Sequence, residues 1–143
     1  NKAIYRTRMA IADGGELIVL APGVTKFGED KKNDELIRKY GYQGRLKVLE
    51  LFKNIQELKD NMGITAHLIH GSSDNRFKVT YAVKKITQEE IRSVHFEAAD
   101  YDEMIKRYPP DQLKAGWNVL GDGEEIFYVP NPALGLWIDK NRF

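Results

Sequence analysis

The chain has 143 residues, of which 42% are hydrophobic and 30% charged, and this composition suits one globular domain while excluding disorder, collagen-like repeats and a disulfide-stapled miniprotein. With 22 Lys and Arg against 21 Asp and Glu, the charge indicates neither nucleic-acid nor anionic-membrane partners. The chain has no Cys and no apolar run near the roughly 20 residues of a membrane-spanning helix, so we expect a cytoplasmic protein.

The first third of the chain predicts a helix, a strand and another helix. Apolar residues at helical spacing predict a helix over residues 2–12, ended by Gly14 and Gly15. Residues 16–21 form a nearly unbroken apolar run, which is typical of a strand buried on both faces of a parallel sheet. Asn33 and Asp34 then indicate a cap for a helix that Gly41 closes.

The middle of the chain continues this alternation. Residues 45–62 predict one long amphipathic helix or two consecutive helices, whereas residues 66–70 are too few to decide between helix and strand. The remaining predicted elements are a strand over residues 77–81, a short helix opened by the capping box of residues 87–90, a weaker strand over residues 95–98 and a helix over residues 100–108.

Residues 109–143 are rich in Gly and Pro and predict one strand, over residues 125–129, in an otherwise irregular extension. We expect Trp117 and Trp137 to anchor this extension to the core or to another subunit. The alternation of strands and helices before it predicts an α/β fold: three layers, α/β/α, around a mostly parallel sheet, with residues 1–143 as one domain.

The loop after the first predicted strand is a candidate ligand site. Residues 23–28 have the glycine spacing of a phosphate loop, but Glu29 and Asp30 stand where Lys and Ser or Thr are required, so a simple turn is favoured over nucleotide binding. Ligands of open α/β sheets nevertheless bind beyond the carboxyl ends of strands. Gly23, Thr25 and Gly28 are therefore predicted to lie near a site.

His67 and His70 are the other candidates. On a helix they would share one face, which leaves open a metal pair, a histidine that faces substrate, or a purely structural role. No third ligand accompanies them at the spacing of a known metal motif. We therefore assign no metal to this chain, and no self-contained set of catalytic residues.

Taken in order, the helix from Lys2, the turn at Gly14 and Gly15, the apolar strand, the acidic glycine-containing loop and the histidine in residues 66–68 resemble the C-terminal domain of the lactate racemase family. That family consists of nickel-dependent racemases and epimerases of 2-hydroxy acids. The resemblance covers residues 2–108. It places Lys2 where the family has a substrate-binding lysine, and His67 near the family's C-terminal histidine.

The resemblance implies a two-domain enzyme with its site between the domains. Its nickel pincer nucleotide would be held mainly by an N-terminal domain, and the partners of this chain would be that domain and a 2-hydroxy acid, either lactate-like or a sugar acid. Because the chain starts at Asn1, we expect it to be the C-terminal domain of such an enzyme, inactive alone. The alternative is a non-catalytic α/β module, regulatory or binding a small anion through the loop after the first strand.

Overall fold

The computed structural model describes residues 1–142, and a three-stranded parallel sheet forms its centre. The strands lie in the order β1 (Glu16–Leu20), β2 (Lys78–Ala82) and β3 (Glu97–Ala99). β1 and β2 pair over five residues each, and β2 pairs with all three residues of β3. Because parallel neighbours need crossover connections, the segments between the strands are helical.

Seven α-helices surround this sheet within residues 1–142: α1 (Lys2–Thr7), α2 (Lys31–Tyr40), α3 (Arg45–Asn54), α4 (Gln56–Lys59), α5 (Met62–His70), α6 (Gln88–Ser93) and α7 (Tyr101–Arg107). Val79 and Tyr81 on one face of β2 are buried, and so are Thr80 and Ala82 on the other. The central strand is therefore covered on both sides. The predicted α/β class with a parallel sheet is confirmed.

The prediction that β1 is buried on both faces is wrong. β1 is an edge strand, since it pairs with β2 alone, and its residues from Leu17 to Leu20 are only half-buried. The fully buried strand is β2, which has a partner on each side. An apolar run marks a strand of the sheet but does not show whether that strand lies at its centre.

The first helix is shorter than predicted, because it ends at Thr7 instead of Ala12. The chain beyond it pairs with the C-terminal segment: Met9 forms a parallel bridge with Ile138, and the Trp137 amide donates to the Arg6 carbonyl at 2.9 Å. This pairing replaces the helical hydrogen bonds that the periodicity of the sequence would otherwise favour.

The ambiguous middle of the sequence forms three helices. α3 and α4 are separate because Ile55, between them, is extended, with φ −114° and ψ 113°. Residues 66–70 belong to α5, which contains Gly63 in its first turn. Of the two alternatives for residues 45–62, two consecutive helices are therefore correct.

The predicted capping box at the start of α6 is present. The Thr87 hydroxyl accepts from the Glu90 amide at 3.2 Å, and the Glu90 carboxylate accepts from the Thr87 amide at 2.7 Å. The following helix, α7, begins after Asp100, whose carboxylate accepts from the Glu103 amide at 2.9 Å. Local capping therefore sets both boundaries, and the sequence predicts the first of the two caps.

The C-terminal extension contains more structure than the single strand predicted for it. β4 (Gly116–Val119) and β5 (Glu125–Tyr128) form an antiparallel hairpin, and a short 3-10 turn follows at Pro132–Leu134. Trp117 is 67% exposed and packs edge-on against Phe127 at 5.4 Å between ring centroids. Trp117 therefore does not anchor the extension to the core, whereas Trp137 is half-buried. An anchor to another subunit, the other alternative, stays a prediction.

Phe143, the last residue of the predicted extension, lies outside the described residues. Among residues 1–142, no helix is both long enough and apolar enough to cross a membrane.

The N-terminus of α3 is capped from a distant turn. Its own N-cap residue, Gly44, has no side chain, and the Gly44 amide donates to the Ser72 hydroxyl at 3.0 Å. One carboxylate oxygen of Asp74 accepts from the Arg45 amide at 2.6 Å, and the other accepts from the Arg8 guanidinium at 2.6 Å. Asp74 has φ +54°, a conformation that Asp tolerates better than most residues. This one side chain joins α3 to the segment after α1.

We expect Asp74→Ala to lower the free energy of unfolding by about 2 kcal/mol, because it removes a helix cap and places Ala in the left-handed region. Asp74→Asn should lose less, since an amide oxygen still accepts from the Arg45 amide and Asn tolerates positive φ. Urea denaturation measures both. The control is Asp111→Ala at an exposed turn, which should stay within about 0.5 kcal/mol of the parent. Equal stability of the two alanine variants would contradict the distant cap.

Candidate ligand-binding site

A cavity of about 580 Å³ opens beyond the carboxyl end of β1, between the loop that follows this strand and the helices α2 and α5. Ligands of α/β proteins bind at this end of the strands. The residues that line it are Phe27, Gly28, Glu29, Asn33, Ile37, Asn61, Gly63, Ile64 and His67. We call this cavity the β1 pocket.

The loop after β1 forms one wall of the β1 pocket because it is hydrogen-bonded to α2. The Asp34 carboxylate accepts from the amides of Phe27 at 2.6 Å and Gly28 at 3.1 Å. Arg38, one turn further along α2, donates to Asp34 at 2.6 Å and to Glu90 at 2.7 Å. Burial raises the pKa of Asp34, but these donors outweigh burial, so its pKa is lowered and the carboxylate is charged at neutral pH.

Gly28 is a glycine because its backbone lies against α2. A Cβ at this position would overlap the backbone of Asn33 and Asp34. Gly28 is also buried, although the residues on both sides of it are more exposed. The glycine spacing of this loop is thus explained by close packing of the loop on α2, without reference to a phosphate.

His67 lies on α5 and contributes the opposite wall. Its Nε2 is 3.0 Å from the hydroxyl of Tyr42, and the two rings are 5.9 Å apart. Tyr42 is buried and stacks on Phe96 at 4.4 Å between centroids, with the rings nearly parallel. The hydroxyl of a ring held in the core therefore fixes the orientation of the His67 ring at the pocket wall.

Burial, followed by the nearby Asn1 amino group and His70, lowers the pKa of His67 from its ordinary value of 6.5 to about 4. His67 is therefore neutral at pH 7. Burial likewise raises the pKa of Tyr42 well above its ordinary value. The pair consists of a neutral imidazole and a neutral phenol, a hydrogen-bonding unit without charge.

The structure brings two of the five predicted site residues into one cavity and leaves three outside its lining. Gly28 and His67 both line the β1 pocket. Gly23 and Thr25 are exposed members of the same loop, and neither contributes to the lining. Lys2 is exposed at the start of α1 and does not line the pocket.

Lys2 nevertheless follows a residue that contacts α5. The side-chain amide of Asn1, immediately before it, donates to the carbonyl of His67 at 3.1 Å. This contact fixes the start of α1 against the helix that carries the pocket histidine.

The other sequence candidates have different environments. His70, although on the same helix as His67, is exposed, and its ring lies 6.2 Å from that of Tyr5. Among residues 1–142, no three His, Cys, Asp or Glu side chains are grouped closely enough to hold a metal ion. Ser72 is fully buried, and its hydroxyl donates to the Leu68 carbonyl at 2.7 Å, so it serves a structural role.

Asn33 and Asn61 also line the β1 pocket, but no pattern in the sequence marks them as site residues. Asn61 precedes α5 as its N-cap residue, yet its side chain makes no capping hydrogen bond. The sequence predicts Asn33 as a helix cap, and this prediction is wrong. Asn33 lies in the first turn of α2, and the N-cap residue is Asp30. The Tyr42–His67 contact joins positions 25 residues apart, and no short-range pattern reveals such a pair.

Comparison with known proteins supports the fold. No protein-family profile and no curated protein matches the sequence. A crystal structure of a protein from Thermotoga maritima, a structural-genomics target, is similar to this chain with a TM-score of 0.70 and 20% sequence identity. The similarity covers 96% of this chain and 33% of that protein. The chain thus spans about a third of the length of this structural neighbour, and the likeness shows the fold alone.

The lowered pKa of His67 makes stability depend on pH in a definite direction. Between pH 6.5 and about 4 the unfolded chain protonates this histidine while the folded chain does not, so the free energy of unfolding falls as the pH falls through this window. We expect His67→Gln to be less sensitive than the parent, since Gln does not titrate. Denaturation at about pH 7.5 and about pH 5 measures the difference.

The control for this experiment is His70→Gln, which changes the exposed histidine of the same helix. It should keep most of the acid sensitivity of the parent. If His67→Gln lost stability on acidification as steeply as the parent, burial of a neutral His67 would be contradicted.

Proposed function

We propose that this chain is the substrate-cleft-forming domain of a racemase or epimerase of 2-hydroxy acids, related to the lactate racemase family. The observation that carries the proposal is the meeting of Gly28, beyond the carboxyl end of β1, with His67 of α5 in one cavity. The resemblance in sequence places both the loop and the histidine beside a substrate. The chain spans 33% of the length of its structural neighbour, which is compatible with its being one domain of a larger enzyme.

Residues 1–142, which the structure describes, do not suit a role as the holder of a nickel cofactor. The described residues group no three metal ligands together, and the Nε2 of His67 already faces the Tyr42 hydroxyl. In the proposed enzyme the nickel pincer nucleotide would be held by the N-terminal domain. We derive no step through it. The contribution of this chain is to bind and orient the acid: His67 offers a neutral hydrogen-bonding group, and Lys2 offers a positive charge for the carboxylate.

The geometry favours this proposal over a small-anion module that uses the same pocket. None of the nine lining residues is Lys or Arg, and Glu29 adds a negative charge. A free phosphate or carboxylate would therefore meet no cation in the β1 pocket. In a two-domain cleft the charge that balances the carboxylate comes from outside the lining.

The test of this proposal uses the complete protein in which the chain occurs, produced together with the machinery that matures the nickel cofactor. Lactate, malate, mannonate and gluconate are supplied as single enantiomers or epimers, and chiral chromatography follows inversion at C2. We expect bound nickel and inversion of at least one acid. Absence of both would overturn the proposal, and micromolar binding of phosphate by the 143-residue chain alone would support the anion-binding module.

Substitution of Lys2 tests the residue carried over from the family. Removal of an ion pair to the substrate carboxylate costs about 1.5–3 kcal/mol, so Lys2→Ala should lower kcat/KM of the complete enzyme roughly ten- to a hundredfold. Lys106→Ala, at an exposed position of α7, is the matched control and should leave kcat/KM unchanged. An unchanged kcat/KM in a folded Lys2→Ala enzyme would exclude Lys2 from substrate binding.

A further inference from the structure

The side chains of the β1 pocket offer hydrogen-bond acceptors. The Asn33 side-chain nitrogen donates to Asp30 at 2.9 Å, and the Asn61 side-chain nitrogen donates to the Glu57 carbonyl at 2.7 Å. No hydrogen bond within residues 1–142 uses the side-chain oxygen of Asn33 or of Asn61. These two amide oxygens are therefore available to a ligand that donates.

Glu29 adds a third acceptor to the same lining. It is exposed at the mouth of the pocket, where a carboxylate has only acceptor oxygens to offer. A carboxylate or phosphate group is itself an acceptor, and it would meet no positive charge in this lining, only the remaining N–H groups of neutral side chains. A hydroxyl group, which both donates and accepts, is complementary to this rim.

The remaining lining suits a carbon chain. Half-buried Phe27 gives the pocket most of its apolar surface, since Ile64 is only 6% exposed and Ile37 is fully buried. Small-ligand sites combine such surfaces with a few placed polar groups. The volume of about 580 Å³ falls within the range of roughly 300–1,000 Å³ typical of such sites. A three-carbon acid such as lactate leaves most of this space unfilled.

We propose that the β1 pocket binds a polyhydroxylated chain, with Asn33, Asn61 and Glu29 as the residues that recognise its hydroxyl groups. Combined with the proposed function, on which this further step rests, the substrate is a sugar acid rather than lactate. Its hydroxylated tail occupies the pocket, and its carboxylate lies outside, toward a cation. His67, the remaining polar side chain of the lining, is neutral at pH 7 and therefore adds no cation that would draw the carboxylate into the pocket.

The first test measures binding to the 143-residue chain by NMR, with sorbitol, gluconate, lactate and inorganic phosphate as probes. Sorbitol has the hydroxylated chain without the acid, and lactate has the acid without the chain. We expect sorbitol and gluconate to bind weakly, in the millimolar range, and to shift the side-chain amide signals of Asn33 and Asn61. Lactate and phosphate should leave these signals unchanged. Shifts by lactate or phosphate, or none by the two polyols, would overturn the proposal.

Asn61→Leu provides the matched variant, since Leu keeps the size of the side chain and removes its hydrogen bonds. Its control is Asn54→Leu at the end of α3, where the side-chain nitrogen also donates to a carbonyl four residues earlier, that of Glu50, at 2.9 Å. We expect Asn61→Leu to weaken sorbitol and gluconate binding about tenfold, the loss of roughly one good hydrogen bond, and Asn54→Leu to bind as the parent does. Equal affinities in the two variants would contradict the role of Asn61.

Thermal unfolding establishes that both variants fold. Should Asn61→Leu not fold, Asn33→Leu removes the other amide oxygen, at a half-buried position in the first turn of α2, and is expected to weaken binding by a similar factor. Failure of this inference is distinguishable from failure of the proposed function. Inversion of lactate but not of gluconate by the complete enzyme would refute the sugar-acid assignment alone, whereas polyol binding without inversion of any acid would refute the racemase assignment alone.

Discussion

The buried ring of Tyr42 is the contact on which the arrangement of the pocket depends. One face of it stacks on Phe96, which itself packs against Tyr81 of the central strand at 4.7 Å between centroids. Its hydroxyl meets His67, and its edge lies so close to Gly71 that a Cβ there would overlap the ring. Tyr42 thus contacts both the sheet side of the core and α5, and it holds His67 at the pocket wall against the close-packed core.

Local signals in the sequence predict the elements whose boundaries are set by nearby residues. β1 begins and ends within a residue of its prediction, and the Thr87 capping box begins α6 where expected. Predictions fail where contacts between residues distant in sequence decide where an element forms or ends. The first helix stops at Thr7 because the chain after it pairs with residues 137–139. The sequence does not predict β4, whose four residues pair with β5.

The residues of the candidate site likewise fall into two groups, those that local sequence signals predict and those that depend on tertiary packing. Gly28 could be found because a loop at the carboxyl end of a strand is a general place for ligands, although the glycine itself is required by contact with α2. His67 could be found as a polar residue in an apolar stretch. Asn33 and Asn61 could not be found, because the approach of α2, which carries Asn33, to α5, which Asn61 precedes, depends on tertiary packing. Asn33 in addition resembles an ordinary helix cap in sequence.

Under the proposed function, the charge of the lining determines which end of an extended acid enters the β1 pocket. Moving a carboxylate into a lining that contains Glu29 and no cation would cost solvation without a compensating partner. The opposite orientation carries no such cost, since hydroxyl groups exchange water for Asn33, Asn61 and Glu29 while the carboxylate stays at the mouth. The inverted C2 centre of a 2-hydroxy acid adjoins its carboxylate, so this orientation holds C2 outside the pocket as well. Under the proposed function, this domain selects the acid by its tail and presents the reacting carbon to groups beyond the lining.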